Sequence, residues 1–470
     1  MTHTLKGGPA HPGNAPAVPS APAPSAPAPP PGPRRTAFAE GADRLRAAAT
    51  TEPGRLRIIG AVLALLVVAF GAVTAWQTTG RAAAADDVLT GSQPLSSDAA
   101  DIYRSLADAN TAAAGGFLAG GQETEASRER YEEDIRTAAA KLVTAAANSD
   151  PDSPAAATVT RLNRLLPEYK GLIERARVYN RQGFPVGGAY LRYANEKMQE
   201  EMLPAAEALY KSENRRLRGD YADATPHPWA AIALGVLALA ALAWAQRRTY
   251  LRTHRVLNPG LAAATAATAA ALLWLVAGHG VARAHLEDSR EHGVRSLDVL
   301  HEARIASLKA RGNENLTLVA RGAETEKVGG VTYDAYDHDY RREMRVLADR
   351  LADAGRLADD RAGERPVAAA AGNVREWQKR HRAARAQDEN GNYRQALAKV
   401  IGGKGATGEC FDNVDTHLAA ALAHEESEFE RAAGAGRDAM TGLPAGAAVL
   451  GVLGAAGAVL GIGRRLSEYR

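Results

Sequence analysis

Four uncharged apolar runs constrain this chain more than any other feature. The first, Ile58 to Trp76, reads IIGAVLALLVVAFGAVTAW and holds no Asp, Glu, Lys or Arg. A helix needs roughly 20 apolar residues to cross the hydrocarbon core of a bilayer, and one central charge costs about 3 kcal/mol on insertion scales. Three comparable runs follow, Trp229 to Ala245, Leu261 to Gly278 and Leu443 to Gly463. The sequence therefore reads as a membrane protein with four spans. Ala82 to Ala85 would suit signal cleavage after the first run. The long stretch ahead of that run, and its length beyond the usual ~7–15 residues, favour a retained anchor.

Arginines set the orientation. Arg55 and Arg57 precede the first span, Arg247, Arg248, Arg252 and Arg255 fill the short segment between the second and third, and Arg464, Arg465 and Arg470 follow the fourth. Threading four spans puts these three places on one side, which the positive-inside rule assigns to the cytoplasm. Trp76, Trp229, Trp244 and Trp274 near the span ends suit an interfacial belt. The expected divisions are a Pro/Ala-rich tail over 1–54, spans at 55–76, 229–245, 259–278 and 443–463, a loop at 246–258 and a tail at 464–470. Segments 77–228 and 279–442 then face outward.

A formal charge of +3 and the lack of a basic patch with interleaved aromatics set nucleic acid aside. With aromatics at 5%, cores must be built from Ala and Leu at helical spacing, so an all-α fold is expected. Cys410 is the single cysteine, which excludes an internal disulfide and fits a small buried residue. The proline-dense stretch over 1–35 reads as an extended spacer, and 36–54 as a short basic helix at the membrane surface.

Each outward segment divides into four helical stretches. In the first these carry Ile102 and Leu106; Tyr131, Ile135 and Leu142; Val159, Leu162, Leu166 and Tyr169; and Leu191, Met198, Met202 and Leu209. Asn148-Ser149-Asp150-Pro151 and the Gly183–Gly188 region separate them, and Pro167 and Pro204 should kink the last two. The second segment repeats the plan with Leu297 and Leu308; Tyr340, Met344 and Leu347; Val374, Trp377, His381 and Ala384; and Val414, Leu418 and Phe429. Glu-Thr-Glu at 123–125 and 324–326 precedes a Tyr- and acid-rich helix in each half. The expectation is two extracytoplasmic antiparallel four-helix bundles in a tandem span–bundle–span repeat.

Chemistry is sparse. The spans carry no ionisable residue except His279 at an edge, which disfavours transport. Gly451/Ala455, Gly454/Ala458 and Gly457/Gly461 give the fourth span a small-xxx-small packing face, for another span of the chain or for a second copy in a homodimer. His285/His292 and His417/His424 are each seven apart, about 10 Å along a helix, too far to share a metal without partners. Carboxylates such as Glu129, Glu132, Glu133, Asp134, Glu425 and Glu426 alternate with Arg and Lys as on a solvated face. Asn315-Leu316-Thr317 matches a glycosylation sequon at chance level. No hydrolase, nucleotide-binding, zinc-protease or kinase signature is present, so neither an enzyme nor a cofactor is expected.

With spans and outward helices continuous, the architecture resembles the actinobacterial GlnX-type four-span membrane proteins, over the chain from about residue 55. That resemblance implies an extracytoplasmic amino-acid-binding lipoprotein as the input, of glutamine, glutamate or aspartate type. It implies a cytoplasmic Ser/Thr protein kinase as the output, docking on the arginine-rich loop and tails. It carries over no binding residue, and the Pro-rich tail has no counterpart. Two alternatives stay open. One is direct sensing of a small molecule, with Arg175, Arg177, Tyr179 and Arg181 able to grip a carboxylate; the other is a structural envelope scaffold.

Overall fold

Each apolar run lies within a near-continuous helical rod of 58 to 66 residues. At about 1.5 Å per residue, such rods extend far beyond a bilayer core of about 30 Å. The computed structural model describes residues 52–120, 123–253 and 258–467. The tail over 1–35 and nearly all of the 36–54 stretch lie outside them, as do Arg255, Arg470 and the side chains of Arg252 and Arg465.

Among the described residues, α1 (Glu52–Asp87) runs through a π-helical turn at Val88–Ser92 into α2 (Gln93–Leu118). Then come α3 (Glu125–Asn148), α4 (Pro154–Arg181) and α5 (Val186–Glu196). A second π-helical turn at Lys197–Met202 leads into α6 (Leu203–Ala224), and α7 (Trp229–Thr253) carries the second apolar run. Helix α8 (Pro259–Asp288) passes through a third π-helical turn at Ser289–Val294 into α9 (Arg295–Ala320). Strands β1 (Thr325–Val328) and β2 (Val331–Asp334) precede α10 (Ala335–Leu357), α11 (Arg361–Glu389), α12 (Tyr393–Ile401), α13 (Thr407–Met440) and α14 (Leu443–Ser467). Over the described residues the fold is all-α, with four helices long and apolar enough to cross a membrane.

Local chemistry explains the breaks. Thr124, Ser153, Asp334 and Asp360 cap α3, α4, α10 and α11 by accepting from first-turn backbone N–H groups. Pro94 and Pro204 each follow directly on a π-helical turn. A proline has no N–H to give the carbonyl four residues back, so the helix widens ahead of it. The kink expected at Pro204 is thus a π-helical turn, whereas α4 continues through Pro167. Between Glu324 and the expected Tyr- and acid-rich helix, which is α10, the chain adds a short antiparallel hairpin. Gly329 and Gly330, at φ 59° and 83°, form its tight turn, and both positive φ values favour glycine.

The helices of each long segment pack in a closed order, α2–α3–α4–α6 and α9–α10–α11–α13, and α2 also packs on α9. One hydrophobic core therefore runs through both segments, from Leu106, Leu142, Leu162 and Met198 to Leu347, Trp377 and Phe411. Helix α2 is buried around most of its circumference between Leu95 and Ala114, because Ala99, Ala100, Ala107, Ala109, Ala112 and Ala113 let neighbours approach on several sides.

The small residues of α14 face other spans of the same chain. A Cβ added to Gly451 would lie 3.0 Å from the Cα of Gly71, and one on Gly454 would lie 2.9 Å from Val67. Gly457 meets the Gly260 carbonyl at 2.9 Å and Gly461 the Leu261 nitrogen at 2.9 Å, measured the same way. Ala458 is fully buried and Ala455 half-buried, while Val452, Leu453, Val459 and Leu460 point outward. Asn258 Nδ2 donates to the Gly461 carbonyl at 2.7 Å, and Gly60 lies against Ile462. Gly60, Asn258 and the Gly461–Ile462 turn of α14 thus gather at one end of the spans.

Candidate sensing site

Two cavities flank the α2–α9 contact. The first, about 630 Å³, is walled by α2, α3, α9, the 401–404 loop and the first turn of α13. Arg130 of α3 crosses it: its Nε and Nη2 grip the Asp108 carboxylate of α2 at 3.0 and 3.1 Å, and its Nη1 donates to Asp412 of α13 at 2.9 Å. Charge-assisted forks of this kind fix geometry as well as adding energy, so this arginine ties the two long segments together. Asn315 of α9 donates to the Thr111 carbonyl of α2 at 3.4 Å, and its Oδ1 has no partner. The second cavity, about 590 Å³, lies on the other side, between α2, α5, α6, α9 and α10.

Beside the first cavity a charged network is fully buried. Glu314 of α9, 1% exposed, accepts from Arg311 Nη1 at 2.6 Å, Thr407 Oγ1 at 3.0 Å and Trp377 Nε1 at 3.1 Å. His381 Nδ1 faces Glu314 at 2.9 Å while its Nε2 faces Asp337 at 3.0 Å. Both ring nitrogens meet carboxylates, so both donate and the ring is an imidazolium. Burial opposes that charge, but the hydrogen bonds to Asp337 and Glu314 outweigh it and raise the His381 pKa. Tyr340 stacks on the imidazole at 3.7 Å. The network joins α9, α10, α11 and α13, and each buried charge has an opposite charge beside it.

Asp134 departs from the solvated face expected of it. It is 5% exposed, and burial followed by the neighbouring Asp108 pushes its carboxyl up to about 8 despite Arg104 at 3.4 Å. Glu425 is likewise buried.

The arginine cluster at the end of α4 does not converge on a ligand. Arg177 is buried, paired with Glu123 at 3.1 Å and Glu174 at 2.8 Å, and stands 4.2 Å over the Tyr131 ring. Arg175 stands over Tyr190, on which Tyr179 stacks at 5.6 Å, and Arg181 is exposed. The paired histidines also separate. His292 faces Asp288 at 3.1 Å and His424 faces Asp360 at 3.1 Å. Asp360, His424 and Glu428 lie close enough to hold a metal ion, as do Glu326, His338 and Asp339. Asp360, however, is committed to capping α11. Cys410 is buried and free. Of the arginines at the other end of the spans, Arg247 and Arg464 are exposed and Arg248 stands 5.3 Å over the Trp244 ring.

Residues 84–222 match the family described as the actinobacterial sensor domain. The match supports a sensing or signalling role and runs from the last turn of α1 almost to the end of α6. No curated protein and no solved structure matches the chain.

Arg130, Asp412, Glu314 and Asp337 were not singled out by sequence reasoning. One signal was present: His381 occupies the apolar register of Val374, Trp377 and Ala384, where a polar ring needs a buried partner.

Proposed function

We propose that this protein is a membrane signal relay rather than an enzyme. The single observation that carries the reading is the α2–α9 contact between two rods that each continue into an apolar span. A shift where they touch is shared by both rods, because a helix transmits axial and tilting displacement as a rigid element. In this reading the two long segments are extracytoplasmic four-helix bundles of a duplicated unit, fused along α2 and α9. The arginine-bearing end, with both termini, faces the cytoplasm.

The input we favour is an amino-acid-binding lipoprotein docking on the outer helices, and the output a cytoplasmic Ser/Thr protein kinase reached through the Arg247, Arg248, Arg252 and Arg255 segment and through Arg464 and Arg465. Magnitude supports a protein input. Swinging a two-state equilibrium from 1:99 to 99:1 takes about 5.5 kcal/mol of differential affinity, which an interface of ordinary size supplies more readily than one small contact. In-cell crosslinking of the tagged protein, with mass spectrometry of what co-purifies, tests the relay. A solute-binding lipoprotein and a kinase are expected; self-crosslinks alone would refute both partners.

The cavities favour a second reading, direct sensing of a solute. Each lies within the roughly 300–1,000 Å³ of small-molecule sites, and each is walled by helices continuous with three different spans.

A further inference from the structure

The two cavities differ in charge. The wall of the first carries three cations, Arg130, Arg311 and Lys404, against three carboxylates, Asp108, Glu409 and Asp412. The second has six carboxylates, Glu196, Glu200, Glu207, Glu324, Asp339 and Glu343, against Arg192, Lys309 and Arg342, a formal balance of three minus six, or −3. Its acids are not all spoken for. Arg342 serves Asp339 at 2.7 Å and Glu343 at 3.3 Å, and Lys211 serves Glu207 at 2.6 Å. Among the described residues Glu196, Glu200 and Glu324 have no ion pair. A cleft of one sign between low-dielectric walls focuses its field on whatever enters.

An independent observation points to a ligand. Tyr103 of α2 stands in this wall with 0% exposure, and its phenolic oxygen has no hydrogen-bond partner. Glu207 and Glu343 stand in the same wall, and the Lys309 ammonium lies 5.9 Å over the Tyr103 ring without bonding its hydroxyl. A buried hydroxyl without a partner bears its full desolvation cost, which a bound donor would relieve. An alkylammonium offers N–H donors that the phenolic oxygen and the unpaired acids lack. Its N–H groups can reach the phenolic oxygen and a carboxylate together, and its methylenes can lie along Leu203 and Pro204. A second ammonium can reach the unpaired acids at the mouth. We infer that the second cavity is a binding site for a small organic di- or polyammonium ion. The inference rests on the sensing reading, since α2, α6 and α9 of this wall lead into the first three spans.

The test is isothermal titration of the full-length protein in nanodiscs with spermidine and putrescine, against MgCl₂ and NaCl at matched ionic strength. Saturable amine binding at physiological salt is expected, weakened at least tenfold by Tyr103→Phe and by Glu343→Gln. Glu200→Lys, an exposed charge reversal that leaves the core untouched, should weaken it at least fivefold, and Asp412→Asn in the first cavity should leave it unchanged. Tyr103→Phe removes only the unpartnered hydroxyl, so its melting temperature should not fall. Amine heats no larger than those of magnesium, or equal binding by wild type and Glu200→Lys, would overturn the site. That failure is separable from failure of the relay, because crosslinking to partners is read in cells and does not depend on the amine titration.

Discussion

Gly260→Ala is the sharpest test of how the spans are held together. A Cβ at this position would lie 2.5 Å from the backbone nitrogen of Gly461 and 2.6 Å from the carbonyl oxygen of Gly457. The first distance is about 0.9 Å short of the 3.4 Å at which ordinary contact begins. All the crowding atoms are backbone, so no rotamer change can relieve them, and α8 and α14 must separate by close to 1 Å. A gap of that size forfeits a quarter to a half of each dispersion well of ~0.1–0.2 kcal/mol. Over the few tens of atom pairs along Gly454, Gly457 and Gly461, the loss is roughly 1–3 kcal/mol, in the range measured for overpacking. Breaking the Asn258 to Gly461 hydrogen bond adds about 1 kcal/mol. Thermal unfolding in nanodiscs should therefore register a loss of roughly 2–4 kcal/mol. The control is Gly219→Ala on an exposed turn of α6, where nothing lies within 4 Å of the added Cβ; it should gain about 0.5–1 kcal/mol through helix propensity. If Gly260→Ala melts at or above the wild-type temperature, the close approach of α8 and α14 is refuted.

Other consequences can be measured on the same material. Glu314→Ala leaves Arg311 buried without its carboxylate and His381 with only Asp337, and should cost about 3–5 kcal/mol in chemical denaturation; a loss below 1 kcal/mol would contradict the network. Asp134 and His381 both have folded pKa values above their unfolded ones. Each contributes stability that is complete below its unfolded pKa, near 3.8 for the carboxyl and 6.5 for the ring, and that is lost as pH rises through the folded value. Melting temperature should accordingly decline from neutral pH towards about 8 and beyond, and Asp134→Asn should flatten the decline. Arg130→Gln removes the fork between Asp108 and Asp412 and should raise amide exchange in the first turn of α13 while leaving the α8–α14 contact protected.

Much was legible in the sequence because it rests on short-range physics. Uncharged runs of bilayer length determined the four span-length helices, and arginine placement suggested which ends belong together. Three-four spacing located α3, α4 and α11 through residues such as Tyr131, Leu162 and Trp377, and the Gly and Pro clusters located their ends. The small-residue pattern of α14 marked a packing face. The Gly329-Gly330 pair was a hairpin signal that the helical pattern around it obscured.

Tertiary structure decided the rest. Alanine is equally at home on an exposed helix face and between two helices, so the run Ala99–Ala114 could not reveal that α2 packs on α9 and joins both segments in one core. Charged residues carry the same ambiguity. Asp134, Glu314 and Arg177 sit in stretches whose alternating charges look solvated, and only long-range neighbours such as Asp108, His381 and Glu123 make them interior groups. A cavity is likewise a property of helices brought together from distant sequence. Tyr103, Glu207 and Glu343 come from three helices, and nothing local couples them. Helix formation and membrane insertion are decided within about 20 residues, whereas burial, pairing and charge imbalance depend on which surfaces meet.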